Sequence, residues 1–315
     1  MTAGLPRDLQ LLLIESFGKD NYAESFPQVF GSLATAKQFI IRDNHAVAAF
    51  CASIPFHWQV NDCRITGYCI GSVCSSEKYR GQGFASRAIS LAEIDAKSNG
   101  ADFTFLFSDL DIFYRKLSYQ SYGKELFAPL AASPAFNQTA CQNLIELKKM
   151  SSDTDHSLRY GFTKPGEAIS PDHTMRLWNL VSKSSHPSEN ILGFSDFQQL
   201  LNIPLVEIHT LWHGATPVAA FFVGKGADFE NVAHSAAAEH PTFLAKLFSC
   251  HFERFPASSL VFMLPPGERA LSQHLTCTNT PSYFAKILRD APLEHSKIER
   301  LLCDGILYPR TFQSI

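Results

Sequence analysis

The 315-residue chain predicts an α/β fold laid out as two tandem halves, and three observations predict it. Short apolar runs of strand length alternate with segments whose apolar residues recur at helical spacing. One strand runs through a glycine turn straight into a helix, at Val73-Cys74-Ser75-Ser76-Glu77-Lys78-Tyr79-Arg80-Gly81-Gln82-Gly83-Phe84-Ala85. The order of elements then repeats. Val47-Ala48-Ala49-Phe50 and Val218-Ala219-Ala220-Phe221 each follow a short turn, with similar elements after each.

Leu9 to Phe17, opened by Pro6 and Asp8, reads as an amphipathic helix. Its apolar core Leu11-Leu12-Leu13-Ile14 is too short for a signal peptide or a membrane span. Gln38 to Arg42 and Ala46 to Cys51 flank the turn Asp43-Asn44-His45 as a hairpin. Arg64 to Val73 forms the next strand and delivers the chain to the glycine turn. In the helix that follows, Phe84, Ala88, Leu91 and Ala92 share a face that Ala85, Ile89 and Ala96 widen, and Asn99-Gly100 stops it. Phe103 to Phe107 is a buried strand. Ser108-Asp109 can cap a helix carrying Ile112 to Leu117.

The glycine turn carries the chemistry. Glycines at 81 and 83 let the backbone approach an anion, and the unpaired N–H groups of the next helix's first turn complete a phosphate cradle. A P-loop needs Lys-Ser or Lys-Thr after the glycines, and none follows. A dinucleotide fingerprint needs a third glycine where Phe84-Ala85-Ser86 stands. The order Arg80-x-x-Gly83-x-Ala85 instead resembles the coenzyme A pyrophosphate loop of the GNAT family of N-acetyltransferases, which reads Arg or Gln, two residues, Gly, one residue, then Gly or Ala. Downstream, Phe113-Tyr114-Arg115-Lys116-Leu117-Ser118-Tyr119 is similar to the family's Phe-Tyr-x-Lys-Leu-Gly-Phe signature. It departs at Ser118 and, more mildly, at Tyr119. The resemblance covers residues near 30 to 150.

This resemblance implies a mixed, mostly antiparallel sheet flanked by helices, acetyl-CoA as acyl donor, and direct attack of an amine on the thioester. Val73, Cys74 and Ser75 would meet the acetyl carbonyl and the pantetheine arm. Arg80, Gly81, Gln82, Gly83, Phe84, Ala85 and Ser86 would hold the pyrophosphate. Ser108 and Asp109, ahead of the second signature, complete the implied cofactor set. Tyr114 matches the position that protonates the departing thiolate, since a phenol near pKa ~10 has comparable basicity. The alternative is a ring packed in the core with its hydroxyl at the surface. No general base stands out among Glu24, His57, Glu77 and Asp111, and Trp58 reads as a core aromatic or the wall of an acceptor pocket.

Past the polar stretch Ser151-Ser152-Asp153-Thr154-Asp155, the order of elements points to a second GNAT-like domain. Helices are expected near 175–181 and 197–201, a hairpin over 206–222, a strand near 231–236, a helix at 243–252, a strand at 260–264 and a helix at 268–275. Where the loop should recur, the chain reads Ala238-Glu239-His240-Pro241-Thr242-Phe243, without glycine and with an acid. The expected division is a catalytic domain over 1–150 and a degenerate copy over 151–315. Tandem acetyltransferases such as mycothiol synthase and the enhanced intracellular survival proteins share that plan.

Composition narrows the function further. The chain has 27 basic and 30 acidic residues, 14 and 14 of them through residue 150, so neither half has the basic excess of a nucleic-acid binder. Eight cysteines without a C-x-x-C pair are expected as reduced thiols, and His209 and His213, four apart in a strand, form no helical metal pair. The expectation is a cytoplasmic N-acetyltransferase acting without metal on a primary amine of a small molecule or peptide. A non-catalytic acyl-CoA-binding module is the alternative, and transfer from aminoacyl-tRNA ranks third.

Overall fold

The computed structural model describes residues 5–31, 34–123, 125–131, 158–184, 190–225, 229–264, 278–280, 283–307 and 309. In chain order, α1 (Arg7–Phe17), α2 (Tyr22–Ser25) and α3 (Pro27–Phe30) precede β1 (Lys37–Asp43), β2 (Ala46–Val60) and β3 (Cys63–Ser75). A 3-10 turn (Glu77–Tyr79) leads to α4 (Phe84–Ser98), β4 (Phe103–Leu106), α5 (Asp111–Lys116), β5 (Gln120–Tyr122) and β6 (Glu125–Ala131). Then come β7 (Leu158–Thr163), α6 (Pro171–Lys183), α7 (Phe194–Leu201), β8 (Glu207–His213), β9 (Thr216–Lys225), β10 (Phe229–Ala238) and α8 (Pro241–Arg254). The chain closes with β11 (Ser259–Leu264), β12 (Thr278–Thr280), β13 (Tyr283–Ile287) and α9 (Pro292–Cys303). Leu144-Ile145-Glu146-Leu147, an apolar run that reads as a strand, the polar stretch 151–155 and the expected helix at 268–275 lie outside the described residues.

Two sheets form, in the orders β1-β2-β3-β4-β13-β5 and β12-β6-β11-β10-β9-β8-β7. Each has one parallel pair, β3 with β4 and β10 with β11, and its other pairs are antiparallel. Counted outward from the parallel pair, β13 stands beside β4 as β6 stands beside β11. The sheets have therefore exchanged a strand. β6 follows β5 in the chain but belongs to the second sheet, and the place between β4 and β5 is taken by β13. The units accordingly comprise Met1–Lys124, Ser188–Ile191 and Pro281–Ile315 in one, and Glu125–Pro187 and Leu192–Thr280 in the other. A single cut at residue 150 does not describe them, because strand pairing rather than linker composition sets their limits.

In the first unit the hairpin is longer than expected, since β2 continues past Pro55. β1 ends opposite Ser53, so beyond it that edge of β2 needs no ladder donor, and proline is tolerated there. On one face of the sheet, Leu9, Leu12 and Leu13 of α1 pack with Phe50, Phe56, Trp58, Phe103 and Phe105. Trp58 is thus a core aromatic, 1% exposed. Gly67 is required here by crowding, because a Cβ would come within 2.6 Å of the Phe103 ring. On the other face, Ala88, Ile89 and Ala92 of α4 pack with Phe39, Ile41, Cys51, Ile70 and Leu106. Leu91, expected on that face, is exposed, so the buried stripe consists of Ala88, Ile89, Ala92 and Ala96.

The second unit repeats the central hairpin. Val218, Ala219, Ala220 and Phe221 are buried, as are Val47, Ala48, Ala49 and Phe50. His209 is buried while His213 is exposed at the turn, so the two do not converge. The Tyr160 hydroxyl lies 2.8 Å from His209 Nδ1, and His251 Nε2 lies 3.0 Å from Ser258 Oγ. Burial pushes the pKa of both imidazoles down, His251 to about 4. Cys51, Cys63, Cys69, Cys74, Cys250 and Cys303 are free thiols, with Cys63 and Cys303 exposed. Among the described residues no helix is long and apolar enough to cross a membrane.

Asp102 fastens β13 into the first sheet. Its carboxylate accepts from Arg289 Nε at 2.6 Å and from the Thr66 N–H at 2.8 Å, and its carbonyl accepts from Leu288 N–H at 2.9 Å. Asp102→Asn removes the charge and replaces one acceptor with a donor that faces a donor. It is expected to cost about 2–3 kcal/mol, read as a lower urea midpoint at unchanged slope. A loss below about 0.5 kcal/mol, the range of an ordinary surface change, would mean that β13 is held by its ladder alone.

Candidate active site

At the end of β3 the first unit opens into a cleft of about 650 Å³. It forms because the parallel ladder of β3 with β4 stops at Cys69–Phe105. Past that pair β3 runs on to Ser75 beside a gap, and Val73, Cys74 and Ser75 line the cleft. Burial raises the Cys74 thiol to about 12, so it stands there neutral.

The loop beyond β3 is shaped by two left-handed glycines, Gly81 at φ +75° and Gly83 at φ +81°. A Cβ at either would meet no atom within 4 Å, so backbone sign rather than crowding requires glycine, and the space above the loop is open. Gly83 is the N-cap of α4, which has no side-chain cap and no acid in its first turn. The first-turn N–H groups of Phe84, Ala85 and Ser86 have no intrahelical acceptor and present the positive end of the helix to the cleft. Arg80 pairs with Glu77 at 3.2 Å, but both side chains are mostly exposed, and such a pair is worth at most about 1 kcal/mol. A diphosphate can therefore draw the guanidinium away. Arg80, Gly81, Gly83, Phe84, Ala85 and Ser86 all line the cleft. Gln82 does not, because its side chain folds back to donate to the Lys78 carbonyl at 3.0 Å.

α5 and the residues on either side of it supply another wall through Leu110, Phe113, Tyr114, Lys116 and Leu117. Helix α5 starts at Asp111 without a side-chain cap, so Ser108-Asp109 is not its cap. Ser108 Oγ instead accepts the Leu110 N–H at 3.0 Å. Neither Ser108 nor Asp109 lines the cleft, and Asp109 is exposed. Ser108 stands one step removed, beside the Tyr114 hydroxyl. Tyr114 is 5% exposed and borders the cleft. Burial raises its phenol to about 12, against the opposing pull of Ser108.

Tyr119 ends the second signature just before β5, not within a strand, and is buried with its hydroxyl 3.0 Å from Thr104 Oγ1. Ser118 explains the missing glycine. It lies at φ +69°, and the Ser118 and Tyr119 N–H groups return to the carbonyls of Arg115 and Tyr114 at 3.0 and 3.1 Å. This is the Schellman stop that Gly100 makes after α4, where φ is +78°. The family's glycine position is thus kept in conformation, with a serine bearing the strain.

A third wall, from Ser16 and Phe17 at the end of α1, was not foreseen from the sequence, which showed only an amphipathic helix. Ser16 Oγ is buried and has no oxygen or nitrogen partner among the described residues. Glu15 Oε1 accepts from the Glu77 N–H at 2.6 Å and lies 3.2 Å from Ser76 Oγ, which pins the turn after β3. Glu24, His57, Glu77 and Asp111 do not line the cleft. Asp111 is engaged by Arg115 at 2.5 Å, and His57 Nδ1 lies 3.1 Å from Thr66 Oγ1.

The corresponding helix of the second unit is closed to an anion. Pro241 has no N–H, and the imidazole of the N-cap His240 accepts from the Thr242 N–H at 3.3 Å. Glu239 adds negative charge at the same place.

Residues 8–122 match the family model described as acetyltransferase (GNAT) domain. The fold is similar to a probable N-acyltransferase of Enterococcus faecalis V583, at TM-score 0.61 and 13% identity, covering 90% of this chain and 70% of that one. A GCN5-related N-acetyltransferase from Kribbella flavida gives TM-score 0.61 at 12% identity, covering 89% and 68%. A tandem GNAT protein from the clavulanic acid biosynthesis pathway gives TM-score 0.53 at 8% identity, covering 92% and 97%. No curated protein matches the sequence. Among the described residues no group of three or more His, Cys, Asp or Glu could hold a metal ion.

Ser118→Gly is expected to stabilise the first unit by about 0.5–1 kcal/mol, because glycine adopts φ +69° without a Cβ penalty. Thermal unfolding checks this, and an unchanged or lower midpoint would show that the serine side chain compensates for the backbone strain.

Proposed function

The first unit carries a GNAT acetyltransferase domain, and from it we propose an acetyl-CoA-dependent N-acetyltransferase whose acceptor is a primary amine of a small molecule or peptide. The observation that carries this reading is the meeting, in one cleft, of an uncapped helix N-terminus, the free run of β3 and the Tyr114 hydroxyl. The open glycine loop and the first-turn N–H groups suit a diphosphate, with Arg80 supplying the mobile charge. Val73 to Ser75 offer an unladdered strand edge to an extended pantetheine arm. Acetyl-CoA supplies the activated acyl group, and the residues of the chain bind and orient it. The roles of Gln82, Ser108 and Asp109 are indirect in this reading, through the turn and through Tyr114.

The raised pKa refines the part of Tyr114. A phenol near 12 facing a thiolate whose conjugate acid lies near ~8.5 is mismatched by about 3.5 units, or about 5 kcal/mol against full transfer. Tyr114 therefore serves as a hydrogen-bond donor to the leaving sulfur, where burial strengthens the bond, and water completes the protonation. In the same reading the second unit is a degenerate copy, kept for its scaffold after Pro241 and His240 closed its anion site. Packing of Tyr114 against Phe113, Tyr119 and Phe284 favours a second reading, a non-catalytic acyl-CoA-binding module. Free-thiol release from acetyl-CoA against polyamines, aminoglycosides, amino acids and short peptides separates the two, since a pure binder releases none.

Gly83→Asp places a side chain and a charge in the open space over the loop, at a φ that aspartate adopts poorly. Calorimetry is expected to show acetyl-CoA binding abolished; unchanged affinity would remove the cofactor assignment. Tyr114→Phe is expected to lower turnover about 10²-fold with little change in affinity. Because the raised pKa keeps the phenol protonated below about 12, the wild-type rate should show no loss from Tyr114 ionisation up to pH ~10, where an unperturbed tyrosine would be half ionised. A fall in rate near pH ~10 that disappears in Tyr114→Phe would show that the phenol titrates normally.

A further inference from the structure

β3 reaches the cleft through a strained residue. Ser72 has φ +51° within the strand, a conformation that non-glycine residues seldom adopt. The register with β2 shows why. Gly71 pairs with Ala52 and Cys74 with Phe50, so Ser72 and Val73 together oppose the single residue Cys51. This is a β-bulge, and bulges re-aim the residues that follow them. Those residues are Val73, Cys74 and Ser75, the strand wall of the cleft. Strain of this kind persists only where the surroundings hold it.

The holding group is visible. The Ser72 side chain is buried, and its hydroxyl lies 3.0 Å from the hydroxyl of Tyr22 on α2. Tyr22 is itself 3% exposed. Its ring stacks on Phe17 at 4.0 Å and 3°, and contacts Phe26 at 4.8 Å. Phe17 lines the same cleft. The tyrosine thus joins the strained strand residue to the α1 wall by a hydrogen bond at one end and a ring stack along its face. Phenylalanine would keep the ring and nearly the same volume, so packing alone does not require the hydroxyl.

We propose that Tyr22 is a positioning residue whose hydroxyl, through Ser72, holds the β3 bulge in the form that presents the Val73–Ser75 backbone to the bound thioester, a role that rests on the acyl-transfer reading above. Tyr22→Phe keeps the ring stack and removes the Tyr22 end of the bridge. Ser72→Ala removes the bridge from the other side and leaves the strained φ. Ser72→Gly removes the bridge but adopts positive φ without strain.

The test uses the full chain and two readouts, amide hydrogen exchange over residues 70–76 and the kinetics of thiol release from acetyl-CoA. Tyr22→Phe and Ser72→Ala are each expected to speed exchange in that segment about 10-fold. Each should also lower kcat about 10-fold to 100-fold with KM for acetyl-CoA nearly constant. The double variant should be no worse than either single one, and Ser72→Gly should recover most of the lost turnover with or without the Tyr22 hydroxyl. Unchanged exchange in both single variants, additive losses, or a Ser72→Gly as slow as Ser72→Ala would overturn the proposal. If the wild type neither binds acetyl-CoA nor releases thiol while exchange still rises in Tyr22→Phe, the acyl-transfer reading falls and the clamp on the bulge stands.

Discussion

The site depends on a ladder that ends early. β3 and β4 are parallel neighbours for only three residue pairs, Gly67–Phe103 to Cys69–Phe105. Continued pairing would fill the space where the cleft stands and would satisfy the β3 edge internally. Because the two strands part, the chain after β4 swings out to place Leu110, Phe113 and Tyr114 opposite Val73 to Ser75. The bulge at Ser72 falls in the stretch that has lost its neighbour, where a departure from regular pairing disturbs no ladder on that side. Cleft, bulge and facing helix are consequences of one interruption.

A parallel pair must nevertheless be flanked if its outer edge is not to lie open, and this chain flanks both of its parallel pairs out of sequence. β13 covers β4 through Phe284–Leu106 and Ala285–Phe105, while β6 covers β11. In the first sheet the arriving strand is fixed by a charge as well as a ladder, since Asp102 takes both Arg289 and the Thr66 N–H. The wall that carries Tyr114 is therefore supported by residues near the far end of the chain, and Phe284 of β13 lies beside the Tyr114 ring.

The two units show how little separates an open helix end from a closed one. Both place a helix after the third strand of the core hairpin set, and both bury the same Val-Ala-Ala-Phe run. In the first, glycine at the N-cap leaves the first-turn donors without a side-chain cap. In the second, proline removes one donor and histidine takes another. Scaffold and site are thus separable, and a few residues at one turn decide which a domain has.

Much of this was legible in the sequence because it rests on local chemistry. The Arg80-Gly81-Gln82-Gly83 turn, the helix after it and the Tyr114 signature depend on backbone sign and short-range periodicity, and these are written in consecutive residues. Other features came only from tertiary structure. No local pattern tells β6 to leave its own sheet or Tyr283 to Ile287 to enter it, since both strands have ordinary strand composition and the choice is made by long-range pairing. The sequence suggested a strand only over Ala46 to Cys51, and only the absence of a neighbour on that edge shows why it continues past Pro55. Ser118 read as a departure from its motif until its φ showed the same turn in a different residue. Ser16 and Phe17 end an unremarkable amphipathic segment. Their place in the cleft wall was decided by where α1 packs, because a side chain's surroundings depend on residues that the sequence does not place next to it.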